Sequence, residues 1–185
     1  RLAATHLIEH GHKRLAFIMP RGLTMSRRHK VEGFLAAINE AGPEFSGTII
    51  EGNTTSRFGD TELGSLGFES AGKIIQMKPR PTGVVTVNDM MAIGLMAGIR
   101  HHGLSVPGDI SIVGMDNLDM SAYAWPPLTS VSMPITQMAQ TMVDRAIQRI
   151  NKTDMQAEEL CFAPTLVTRQ SVVSPPVSRK SAKHV

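Results

Sequence analysis

Three places in the sequence hold residue types that could do chemistry. Asn88 closes the β-branched run TGVVTVN (82–88), Asp116 closes the apolar run ISIVGMD (110–116), and Arg27-Arg28-His29-Lys30 opens an amphipathic stretch. An amide offers a donor and an acceptor, and a carboxylate offers two acceptor oxygens. That pair suits a hydroxyl-rich ligand better than an apolar one. The plainer alternative is a helix cap, and capping of a helix from residue 90 is the preferred reading for Asp89. Asn88 could cap as well. Two polar groups ending two adjacent apolar strands nevertheless favour ligand contact for Asn88 and Asp116. Cations at a helix N-terminus oppose the macrodipole. For Arg27 and Arg28, a solvated basic turn and a ligand contact stand as alternatives, while Ser26 just before them can act as a cap.

Other patterns carry less. His6-Leu7-Ile8-Glu9-His10 matches the H-x-x-E-H spacing of a zinc peptidase, but it sits at a helix end against Gly11 with no downstream acidic ligand. His101-His102 lies near a helix C-terminus, where basic groups are favourable. No G-x-S-x-G elbow, phosphate-binding loop or dinucleotide fingerprint occurs, so an enzyme reading lacks its nucleophile, base or cofactor cradle. Neither a metal nor a cofactor is expected. The 12 methionines fall mostly on apolar stripes, where they fill a core. Cys161 stands alone, which excludes a disulfide framework and fits a reducing, cytoplasmic compartment.

These residues must be held by a scaffold, and the composition is globular: 185 residues, 42% hydrophobic and 19% charged. No apolar run approaches the ~20 residues that span a bilayer. The chain opens on Arg1 without a signal-like segment and reads as a piece of a longer protein. Its net charge is +3, but the tail 174–185 carries Arg179, Lys180 and Lys183 and no acid, leaving a neutral body. The basic balance therefore does not indicate a nucleic-acid surface.

Strands are expected at 15–19, 47–52, 82–88, 110–116 and 129–133, with a last one near 160–170. Helical stripes lie between them: Val31, Phe34, Leu35 and Ile38; Phe68, Ala71, Gly72 and Ile75; Ala92, Leu95, Met96 and Ile99; and Ile135, Met138, Met142, Ala146 and Ile150. Residues 53–66, polar and rich in glycine, read as a surface loop. Continuous apolar strands separated by helices imply an α/β fold with a doubly wound parallel sheet. Ligands bind such sheets outside the carboxyl ends of the strands, which is where Asn88 and Asp116 fall.

Several segments resemble regulators of the bacterial lactose/galactose-repressor (LacI/GalR) type. His10-Gly11-His12-Lys13-Arg14-Leu15-Ala16-Phe17-Ile18 is similar to the family's GHRRIAFIG. Collinear with it are Glu32-Gly33-Phe34, Pro81-Thr82-Gly83-Val84-Val85, Asn88-Asp89-Met90-Met91-Ala92-Ile93-Gly94, the run from Val106 to Asp116, and Pro126-Pro127-Leu128-Thr129-Ser130-Val131. The match runs from about residue 1 to 173.

The resemblance implies the effector-sensing domain of a transcriptional repressor, of periplasmic-binding-protein fold with two lobes, and mainly the second (C-terminal) lobe here. On that basis 1–134 and 163–173 form the lobe, 135–162 is a crossing segment belonging to an incomplete first lobe, and 174–185 is a flexible tail. Operator DNA would be bound by a helix-turn-helix absent from this chain, and the protein would be a homodimer that does not engage a membrane. Carried over by position, Asn88 and Asp116 resemble effector ligands. Lys30 stands where the family usually has Arg, and Ser26 matches another pocket position. Thr54 and Thr55 follow the segment where an aromatic platform is common, with Phe58 a possible substitute. Arg27, Thr54 and Phe58 are thus further candidates.

The family pairs the segment holding Tyr123 and Trp125 across a two-fold axis. Lys30 beside Arg27 and Arg28 points to an anionic polyol, a sugar acid or phosphosugar, with Asn88 and Asp116 on its hydroxyls; a neutral pentose or hexose is the alternative where Arg27 and Arg28 face solvent. The rival reading is a periplasmic sugar-binding protein of a transporter, which shares the fold.

Overall fold

In a computed structural model, the described residues are 1–22, 24–53, 61–151 and 158–176. Elements follow in the order α1 (Leu2–Glu9), β1 (Arg14–Pro20), α2 (Met25–Ala41), β2 (Ser46–Gly52), α3 (Thr61–Gln76), β3 (Gly83–Thr86), α4 (Asp89–His101), β4 (Ser111–Met115), α5 (Asp119–Tyr123), β5 (Thr129–Ser132), α6 (Ile135–Asn151) and β6 (Thr165–Val167). The strands form one six-stranded sheet ordered β2-β1-β3-β4-β5-β6. Neighbours from β2 to β5 pair in parallel, and only β6 runs antiparallel, against β5.

The central strands explain the apolar runs. Leu15 to Met19 and Val84-Val85 are buried along their length, as are Ile112 and Val113. A strand covered on both faces has no polar side to alternate with. α1 packs with α2 and α3 with α4, one pair on each face. Phe34 and Ile38 anchor α2, while Met91, Leu95 and Ile99 anchor α4. Gly42, with φ 115°, ends α2 in a conformation that few side-chain-bearing residues adopt.

The stretch expected as a loop over 53–66 is helical from Thr61. Its buried face is also rotated from the expected stripe. Leu63, Leu66, Ser70, Ala71 and Ile74 face the core, whereas Phe68 is 40% exposed and Ile75 half-buried. Glycine is the reason for both differences. A Cβ at Gly67 would fall on the Met91 carbonyl of α4, and one at Gly94 on the Gly64 carbonyl of α3. The glycines that lower helix propensity here permit direct backbone contact between two helices.

Helix α6 carries the expected apolar stripe, and none of its residues is buried: Ile135, Met142 and Ile150 are exposed and Met138 half-buried. Beyond β6 the chain lies along β4. Ile112 N–H donates to the Ser171 carbonyl at 2.9 Å, Ser171 Oγ donates to the Ile112 carbonyl at 2.6 Å, and Val173 N–H donates to Ser111 Oγ at 3.1 Å. Residues 152–157 and 177–185, parts of the expected crossing segment and tail, lie outside the described residues. Among the described residues no helix is long and apolar enough to cross a membrane.

His12 pins this closing segment. Its buried ring donates from Nε2 to the Val173 carbonyl at 2.8 Å, leaving Nδ1 to accept from Thr82 Oγ1 at 3.0 Å. Burial holds His12 below its ordinary value of 6.5; the Val173 bond opposes this, and His10 and His6 add to it. His6 is lowered as well, by burial first and then by His10, against Glu9. The unfolded chain therefore binds these protons more readily than the folded one. Their stabilising contribution is present above the unfolded value of about 6.5 and is lost as pH falls through the folded pKa. Chemical denaturation should accordingly give a midpoint that falls as pH drops below 6.5. His12→Gln should flatten that fall, and an unchanged pH slope in the variant would refute the role of His12.

Candidate functional site at the carboxyl edge of the sheet

The carboxyl ends of β1, β3 and β4 form one edge, and the expected residues reach it from three elements. Lys30, in the second turn of α2, is half-buried, and its Nζ donates to the Val87 carbonyl at 2.9 Å. Asn88 follows at once. It is 7% exposed, sits in extended backbone, and its Oδ1 accepts from Met91 N–H at 3.0 Å. Asn88 is therefore the N-cap of α4. Asp116 ends the neighbouring strand β4 and is exposed, with a φ of 100°. Lys30 and Asn88 are thus brought together at one strand end, with Asp116 on the adjacent one.

Two other expectations change. The α2 cap is Thr24, whose Oγ1 accepts from Arg27 N–H at 3.2 Å, so Ser26 lies inside the first turn and is exposed. Helix formation begins one residue before Ser26, which leaves its hydroxyl on the helix surface one turn from Lys30. Arg27 turns back to its own loop, where Nη1 donates to the Gly22 carbonyl at 3.1 Å. Arg28 is exposed. Thr54 and Phe58 lie outside the described residues. His6 and His10 lie with ring centres 4.3 Å apart and their planes tilted by 55°, and His10 Nδ1 bonds to the His6 carbonyl. Among the described residues no group of three or more ligating side chains could hold a metal ion.

Asp89 is the largest correction. It does not cap α4; it is fully buried. Its Oδ2 accepts from Leu118 N–H at 2.8 Å and Ser121 Oγ at 2.6 Å, and its Oδ1 accepts from Ser130 Oγ at 2.6 Å. A buried carboxyl group needs such donors, because without them its desolvation is costly. Sequence reasoning also passed over Asn117 and Arg169. Arg169 Nη2 donates to Asn117 Oδ1 at 2.8 Å, and its Nη1 donates to the Leu128 carbonyl at 2.7 Å. For Asp89 the available signal was Ser121 and Ser130, hydroxyls that are buried and whose partner had to come from far along the chain.

Tyr123 and Trp125 are 87% and 78% exposed. Trp125 and Ala124 line a groove with Ile93, Met96, Ala97 and Arg100 of α4, and the Arg100 guanidinium donates to the Trp125 carbonyl.

Residues 4–172 match the model of the periplasmic binding protein-like domain. The chain belongs to this family. The repressor PurR of Aliivibrio salmonicida is 34% identical to it over 172 residues, 92% of this chain and 49% of that protein. Solved structures agree: a LacI family transcriptional regulator from Enterococcus faecalis V583 with bound ribose has a TM-score of 0.80 and 29% identity, covering 94% of this chain and 59% of that one. A dimeric Lac repressor has a TM-score of 0.80 and 27% identity, covering 94% and 60%. The chain spans about half the length of the curated relatives it matches. The resemblance drawn from the motifs is therefore correct, and in this family's terms the described residues form one periplasmic-binding-protein-like sheet whose carboxyl edge holds Lys30, Asn88 and Asp116.

Removing Asp89 should expose how much this edge depends on it. Asp89→Ala leaves a backbone amide and two hydroxyls without their acceptor, each worth about 1–3 kcal/mol when buried. Urea denaturation should show a loss of at least about 3 kcal/mol. A loss under about 1 kcal/mol would mean the network repairs itself.

Proposed function

We propose that this chain is the effector-sensing part of a LacI-type transcriptional repressor, and that a small hydroxylated effector, a sugar or sugar acid, binds at the carboxyl edge of the sheet. The observation that carries the reading is the convergence there of Lys30, Asn88 and Asp116 from α2, β3 and β4. Lys30 supplies a point charge already seated on the Val87 carbonyl, which serves an anionic group as well as a hydroxyl. Asp116 supplies acceptors for hydroxyls at the far end, because a carboxylate close to the effector's anion would be repulsive. Ser26, Arg27, Thr54 and Phe58 are candidates for the rim. The ribose-bound relative supports a hydroxylated ligand, and the repressor relatives support a binding role over catalysis.

In this reading 1–134 and 163–173 form one lobe, and 135–162 crosses to a first lobe that buries the apolar stripe of α6. The effector sits between the lobes and alters the affinity for operator DNA, which a helix-turn-helix in the full-length protein binds in the cytoplasm. Tyr123 and Trp125 form the homodimer contact, as large exposed aromatic anchors do at interfaces.

Calorimetry on the full-length protein with gluconate, glucose and ribose tests the site. Gluconate should bind more tightly than glucose, and Lys30→Ala should remove most of that preference, a cost of about 1.5–3 kcal/mol. Equal binding of acid and neutral sugar would remove the anionic reading, and no binding of any of the three would remove the sugar reading. For the dimer, sedimentation of Trp125→Ala should show a dissociation constant raised at least about tenfold with effector affinity unchanged. An unaltered dimer would place the contact elsewhere.

A further inference from the structure

Among the described residues, the non-glycine positions with positive φ are two neighbours, Asp116 at 100° and Asn117 at 51°. Asparagine enters this region readily; aspartate at 100° is farther from it. Such a conformation persists only where its surroundings hold it. Three consecutive amides are held. Asp116 N–H donates to the Val131 carbonyl at 2.8 Å, Asn117 N–H to Ser130 Oγ at 3.0 Å, and Leu118 N–H to Asp89 Oδ2 at 2.8 Å. These bonds reach into the core through Ser130 and Asp89, and they serve folding.

One further bond reaches the turn from the segment after β6. Arg169 follows β6, and its fork spans Asn117 Oδ1 and the Leu128 carbonyl; its own N–H is fixed on Thr129 Oγ1 at 2.9 Å. This contact is part-buried, lies beside Asp116 and joins the turn to the chain beyond β6. The guanidinium geometry matters because an ammonium presents a single charge and cannot hold two acceptors in one plane.

We infer that Asn117 and Arg169 are positioning residues for effector binding, fixing the left-handed turn that presents Asp116 at the ligand edge; this rests on the effector reading given above. The two residues act as one unit through their shared bond. They act on the hydroxyl end of the ligand, so they affect a neutral sugar and its acid alike, whereas Lys30 separates the two.

The test compares Asn117→Gly, Arg169→Lys and the double variant in the full-length protein, with Asp116→Asn as reference. Glycine retains the positive φ, and lysine retains the charge. Calorimetry with glucose and gluconate is read beside the melting temperature. Each single variant should bind both ligands about tenfold more weakly, with melting within about 2 °C of the parent, and the double variant should be no weaker than the weaker single. A crystal structure of Arg169→Lys should show Asp116 displaced from φ near 100°. Parent-like affinity in both single variants while Asp116→Asn loses binding would overturn the inference and leave the effector reading standing. A lowered melting temperature with unchanged affinity would also overturn it, marking a structural bond only. An unmoved 116–117 backbone in Arg169→Lys would do the same without reference to any ligand. Parent-like binding by Asp116→Asn would instead remove the effector reading at Asp116, and the inference with it.

Discussion

A single buried side chain, Asp89, joins the end of β3 to the segment after β4 and to β5. Its backbone opens α4 directly after the β3 end that carries Asn88. One carboxyl oxygen receives Leu118 N–H and Ser121 Oγ from the segment after β4, and the other receives Ser130 Oγ from β5. A parallel sheet places strand ends side by side but does not by itself fix the loops that leave them. Asp89 supplies that missing constraint. Three donors converge on a group that no water reaches, so the arrangement is strongly preferred over any in which a donor is lost.

The opposite edge of the sheet is closed differently. Residues 171–173 bind along β4, and the His12 ring joins the turn after α1 to the start of β3 and to Val173. The core is therefore tied at both ends of its strands by polar side chains from distant parts of the chain. Between the ties, packing is apolar, and on the α3–α4 face it is tight enough that backbone meets backbone at Gly64 and Gly94. This close approach draws α3 against α4, the helix that Asn88 caps.

Much of the scaffold was legible from periodicity. Runs such as ISIVGMD identify strands covered on both faces, and their ends mark the carboxyl edge of the sheet without further information. The 61–66 segment was not legible as helix, because Gly64 serves a partner helix, and propensity read along one segment carries no knowledge of a partner. Asn88 illustrates a role that sequence left divided: capping and ligand contact call for the same side-chain chemistry at the same place, and the Met91 bond settles only the first. Asp89 shows the reverse, since an acid beside a helix start reads as a cap while its actual donors lie 29, 32 and 41 residues further on.

Sequence alone determined the α/β class, the order of the strands along the chain and the family, because these follow from local periodicity and from collinear motifs. Tertiary structure decided where each polar group points. It turned Arg27 back to Gly22, seated Lys30 on Val87, buried Asp89 under three donors and set Arg169 against Asn117, 52 residues away. Hydrogen bonds of that separation leave no periodic trace. Burial makes an unmet donor or acceptor costly only once the chain has closed around it, so the partner is chosen by the assembled fold.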